Sequence, residues 1–208
     1  MEKTKIIKHI IVITFFIASI SSLSFAGETI VSYVEWIIPG TKADSLICEL
    51  SRGPEHIMQG ALRCYINTSK EGNLKKGKEV FIYRDDSRSP ISVTPALGPV
   101  SNTLITMWES AAYACYIVFG YHNGKVEKLF EHCSKGGIET VDDGSDGIIF
   151  LVTDYSAFQP TDTTIYHWSA GIIGKKKIPY NERLNEVKKL QTEQNAGVQG
   201  TAQKPPRP

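Results

Sequence analysis

Charge of one sign is scarce in this chain of 208 residues: 23 Lys and Arg face 22 Asp and Glu, a formal net charge of +1. So balanced a composition supplies no basic face of the kind that nucleic-acid phosphates require. Long apolar runs are missing too. The longest, Ile10 to Ile20 (IIVITFFIASI), is eleven residues, whereas a bilayer-spanning helix needs roughly 20. There is no Gly-x-Ser-x-Gly, no Walker loop, no Gly-x-Gly-x-x-Gly and no Cys-x-x-Cys. Those gaps remove the short motifs of serine hydrolases, nucleotide sites and dithiol redox centres. His56, His122, His132 and His167 show no paired metal spacing such as His-x-x-x-His, so no metal and no cofactor is expected.

What is there begins with an export signal. Lys3, Lys5 and Lys8 precede the apolar run, and Ser24-Phe25-Ala26 sets small residues at the −3 and −1 positions of a cleavage site. Serines 19, 21, 22 and 24 make the second half of the segment too polar for an anchor. The expectation is cleavage before Gly27, a secreted or periplasmic product and no membrane anchor afterwards. Loss of three lysines and Glu2 would turn the net charge from +1 to −1.

Four cysteines in an exported chain imply two disulfides, with three connectivities open. The local solution joins Cys48 to Cys64 and Cys115 to Cys133. Each bridge would then close a loop of fewer than twenty residues, with a stabilisation of roughly 3 kcal/mol. One register argument opposes it. Asn123-Gly124 should turn a two-residue hairpin, which places Cys115 opposite His132 and points the two sulfurs to opposite faces. A β-bulge would have to bring them together.

Alternation and β-branched content predict strands at Glu28 to Ile38, Ser45 to Leu50, Ala61 to Ile66, Glu79 to Tyr83 and Asn102 to Glu109. Further on come Tyr113 to Tyr121, Val126 to His132, Ile148 to Thr153 and Thr163 to Trp168, the last two expected to pair. Asn73 to Lys78 reads as a basic turn, and Arg88 to Val100, with prolines at 90, 95 and 99, as irregular. Asn181 can cap a helix striped by Leu184, Val187 and Leu190. The expected organisation is a signal peptide at 1–26 and a disulfide-stapled, all-β domain of antiparallel sheets at 27–180. A C-terminal helix at 181–191 and a flexible tail at 192–208 follow. The sheets could form a sandwich or a small propeller-like array.

Three strands end in an aromatic followed by a polar turn, at Tyr83, Tyr121 and Trp168, and Asp142-Asp143-Gly144-Ser145-Asp146-Gly147 runs straight into Ile148. In this, residues 102–177 resemble a degenerate form of the FG-GAP or VCBS-type blade repeats of exported bacterial proteins. The resemblance implies propeller-type blades and, where the acidic loop is complete, bound calcium. Gly144 stands here in the place of the middle aspartate, and Thr153 stands where a bidentate glutamate would close a calcium cage. The loop is therefore expected to be a turn, with no metal.

Candidate ligand-binding residues are few. Trp36, Trp108 and Trp168 could line a glycan or peptide platform, although such residues are more often core. Lys75, Lys76, Lys78 and Lys175 to Lys177 could meet an anionic surface, or simply be solvated turns. His132 beside Cys133 lacks catalytic geometry, because neighbours on a strand point to opposite faces. Asn67-Thr68-Ser69 is a glycosylation sequon only in a eukaryotic source. The favoured expectation is a non-catalytic exported module that binds a protein or glycan partner, as an inhibitor in one version. The alternative is a hydrolase of cell-wall or extracellular polymers using a carboxylate such as Glu109 or Asp143.

Overall fold

The computed structural model describes residues 28–38, 45–54, 59–69, 74–98, 101–110, 112–143, 147–169 and 171–201. The expected signal peptide (1–26), Asp146 and residues 202–208 of the expected tail lie outside them.

Among the described residues, twelve strands form three antiparallel sheets of four, each a meander in chain order. Sheet I holds β1 (Thr29–Ile37), β2 (Ser45–Arg52), β3 (Gly60–Asn67) and β4 (Lys76–Asp85). Sheet II holds β5 (Ser89–Pro95), β6 (Thr103–Ser110), β7 (Tyr113–His122) and β8 (Lys125–Ser134). Sheet III holds β9 (Ile138–Asp142), β10 (Ile148–Ser156), β11 (Gln159–Ser169) and β12 (Ile172–Pro179). A 3₁₀ turn, Tyr180–Glu182, leads into α1 (Arg183–Thr201). All-β antiparallel architecture with a C-terminal helix is thus the fold. It has three sheets, not the two of a simple sandwich.

The sheets lie face on face, and each interface is one apolar cluster. Leu46, Leu50 and Leu62 of sheet I meet Leu104, Ile117 and Phe119 of sheet II. The other face of sheet II gives Tyr116, Val118 and Phe130 to Phe150, Val152 and Tyr166 of sheet III. The far face of sheet III packs Ile149, Leu151 and Ile165 against Val187 and Leu190 of α1. This layering explains the near-continuous apolar runs of β7 and β10. A strand buried on both faces has no reason to alternate. Each fully buried Leu, Ile or Phe contributes about 1.5–3 kcal/mol.

The β7–β8 hairpin turns at Asn123-Gly124, with φ of 50° and 79°, the left-handed pair that a type I′ turn needs. Both cysteine pairs are cross-strand neighbours. Cys48 faces Cys64 and Cys115 faces Cys133, with Cα separations of 4.2 and 3.9 Å. The register conflict is removed by a bulge: Val118 pairs with Phe130 but Phe119 with Lys128, so Leu129 is the extra residue. Its terminal methyl groups lie over Gly120, 2.9 Å from where a Cβ there would sit, so a larger residue would require Leu129 to move.

Three strands were not expected. β5 falls in the stretch read as irregular because of its prolines. It is an edge strand paired only with β6, with Pro90 beside a bulge and Pro95 as its last residue. A missing N–H is tolerated there. β9 and β12 are the edges of sheet III. β12 hides behind three consecutive lysines, which suit an edge. Asn181 is inside the 3₁₀ turn rather than capping the helix, and α1 continues to Thr201, past Gln191.

Candidate functional site

At one end of the stack the three sheets converge on an open groove of about 980 Å³. Sheet II supplies Ile91, Glu109 and Tyr113, sheet I supplies Arg52, and the β10–β11 hairpin of sheet III supplies Tyr155 and Phe158. Ser156 pairs with Gln159, so Ala157 and Phe158 form a two-residue turn. Ala157 holds a φ of 52°, a left-handed conformation that costs a residue with a Cβ roughly 1–2 kcal/mol and that glycine would adopt without strain. The consequence is that Phe158 projects into solvent, 98% exposed. Tyr113, Tyr155 and Ile91 on the same groove are also exposed. An aromatic side chain so placed leaves its whole apolar surface in water.

The charged members of the groove are three among the described residues. Lys135 Nζ stands 5.6 Å from the centroid of the Tyr113 ring, close enough for a cation–π contact. The Arg52 guanidinium donates one long bond, 3.4 Å, to the Pro90 carbonyl. Glu109 is the one carboxylate among the described lining residues. None of the three has an ion-pair partner among the described residues.

Elsewhere several of the charges are paired. Lys176 bonds Glu186 and Lys177 bridges Asp162 and Asp154, at 2.7, 3.1 and 3.7 Å. Lys175 lies over the Tyr166 ring and Lys76 pairs with Glu49. The lysine runs read from the sequence are therefore largely engaged. Arg88, on the turn between sheets I and II, bonds Asp85 at 2.7 Å and Glu131 of β8 at 2.7 Å. Burial pushes the Asp85 carboxyl up. The Ser87 N–H and hydroxyl together with Arg88 more than reverse this, so it lies below the ordinary carboxylate range. The Arg88 hydrogen bond outweighs burial at Glu131, and with help from Lys128 it too is held low.

The other sequence candidates lie away from the groove. Trp36 and Trp108 have 0% exposure between sheets I and II, and Trp168 has 4% between sheets II and III. Rings without an open face cannot stack on a ligand, so the platform idea gives way to the core. Trp36 Nε1 donates to the Ser101 carbonyl and Trp108 Nε1 to Thr106 Oγ1, as core indoles do. Asp143 is fully buried: its Oδ1 accepts the Gly147 N–H at 3.1 Å and its Oδ2 is 2.8 Å from His167 Nε2. This is a loop clasp rather than a cleft carboxylate. His132 bridges Tyr166 and Asp154 at 3.0 and 3.4 Å, while Cys133 is in a disulfide. Asn67 Nδ2 donates to Glu35 and Ser45, and Oδ1 accepts from the Ser69 and Lys75 N–H groups, which leaves the sequon nitrogen engaged. No group of three metal-ligating side chains occurs among the described residues.

Of the candidate site residues named from sequence, Glu109 alone is among the described lining of the groove. Tyr113, Tyr155 and Phe158 carried no motif. The available signal was an odd one, Ala157-Phe158 at a tight turn where Asn-Gly or Gly would be usual. No protein-family model matches the chain and no curated protein is significantly similar to it.

Proposed function

We propose that this is an exported, non-catalytic β-domain that binds a protein partner at the end of the stack formed by the β10–β11 hairpin and its groove. The observation that carries the reading is Phe158, 98% exposed on a strained two-residue turn. Burying that ring against a partner would contribute about 1.5–3 kcal/mol, and a rigid hairpin loses little entropy on docking. The neighbouring Ile91, Pro90 and Val31 are aliphatic. They favour apolar protein surface over a sugar, which needs convergent hydroxyl-binding groups. Two cross-strand disulfides suit an oxidising compartment, in keeping with the export signal.

The test is a photo-crosslinking phenylalanine analogue at position 158 in the exported protein. A discrete protein adduct is expected, absent when the same probe replaces Val80, which lines a separate hollow with Tyr121 and Gly124. No adduct, or equal labelling from both positions, would refute the reading. The polymer-hydrolase alternative has Glu109 in its favour. Paired-carboxylate hydrolysis requires a second acid across the cleft, and Glu109 has none among the described lining residues.

A further inference from the structure

We infer that the groove beside Phe158 takes an extended, acidic segment of the partner, read by Arg52 and Lys135. This rests on the protein-binding reading and adds the chemistry of what is bound. Two cations and one carboxylate, Glu109, face the groove, and neither cation is ion-paired among the described residues. Arg88, Arg63, Lys76, Lys128, Lys176 and Lys177 are all ion-paired. Arg52 uses one donor, on a 3.4 Å bond, and its remaining donors suit a carboxylate bidentately. Lys135 is held over the Tyr113 ring, so its ammonium is positioned before any ligand arrives. Glu109, on the same groove, would repel a basic segment and fix the register of an acidic one.

The extended form of the ligand follows from the strand edge beside the groove. β9 pairs β10 only from Ile148 to Val152, and Thr153 still bonds to Gly137. From Asp154 to Ser156, β10 has β11 on one side and, among the described residues, no strand on the other, where the chain leaving β8 passes with Ser134 on the Thr153 carbonyl and Gly136 against the Tyr155 ring. An open edge next to an apolar groove accepts an added strand. A segment there would pass Tyr155 and reach Lys135, its alternate side chains facing the groove.

The experiment is a random-peptide display selection on the mature, oxidised protein, with selected peptides synthesised and their affinities measured. Peptides rich in Asp or Glu around one or two apolar residues are expected. Their affinity should fall at least tenfold for Arg52→Glu/Lys135→Glu, fall as salt is raised, and recover when Lys replaces the acids. Unchanged melting of the variants confirms that they fold. Peptides that need Phe158 but show no acidic preference, or that bind the charge-reversed variant equally, overturn this inference while leaving the protein-binding reading intact. Selection of peptides indifferent to Phe158→Asp, or of none at all, overturns both.

Discussion

Replacing Arg88 by methionine would remove a charge while keeping most of the side-chain volume, and the structure fixes what that should cost. The guanidinium is 12% exposed and bonds Asp85, whose side chain is 4% exposed, and Glu131, which is 32% exposed. Breaking a buried pair by deleting one partner costs about 3–5 kcal/mol. Here Asp85 keeps the N–H and hydroxyl of Ser87, and Glu131 keeps Lys128. A loss of about 3 kcal/mol at pH 7 is therefore expected by urea unfolding with disulfides intact. Both carboxyls are held below their ordinary range in the folded protein. Their stabilisation is present above the unfolded carboxylate values, near pH 4. It is lost as pH falls through the lower folded values. The gap between wild type and Arg88→Met should accordingly be widest near neutrality and shrink below about pH 4. Adding Asp85→Asn to the variant removes the orphaned charge and should restore at least about 1 kcal/mol. A variant within about 0.5 kcal/mol of wild type, or a gap that does not change between pH 7 and pH 3, would refute the argument.

Two further outcomes follow from burial. Cys133 is exposed whereas Cys48 and Cys64 are fully buried. Under limiting dithiothreitol, timed alkylation with mass mapping should therefore find Cys115 and Cys133 labelled first, and early label on Cys48 would contradict the packing of the first core. Calcium should leave the melting temperature within about 1 °C of the value in chelator, whereas a working site would add about 2.7 kcal/mol at a hundredfold excess over Kd. The reason is that Asp143 already serves Gly147 and His167, and a rise of several degrees would restore the metal reading of the acidic loop.

Much of the fold was legible because local chemistry and burial agreed. Asn123-Gly124 between two apolar runs could turn only one way, and Ile148 to Thr153 had no polar face to show. The same rules misjudged β5, since proline is a poor strand former except where only one side must pair, and edge position is a tertiary fact. β12 failed likewise: the run Lys175 to Lys177 has no strand signature, yet each lysine finds a partner on sheet III or α1. The Cys115–Cys133 pairing required a bulge. Sequence could state that need but not locate it at Leu129, because which residue is extra is set by how the two strands pack, with Leu129 lying over Gly120 of the facing strand.

The groove was illegible for a different reason. A core is written in many residues whose periodicity reinforces itself, whereas a docking knob is one residue whose significance lies in having no neighbours. Ala157 and Phe158 break two local rules together: a residue with a Cβ takes a left-handed turn position, and a large aromatic is left in water. Either departure alone is unremarkable on a protein surface. Coincident at the tip of one hairpin, on a groove whose cations Arg52 and Lys135 are not ion-paired among the described residues, they are the pattern expected where stability has yielded to binding. Ala157→Gly separates the two roles. If the turn is strained for the sake of the knob, glycine should raise stability by up to about 1 kcal/mol. It should also weaken partner binding, because the freed turn no longer holds Phe158 in one direction. A variant that is neither more stable nor weaker in binding would show that the left-handed turn has no part in presenting the ring.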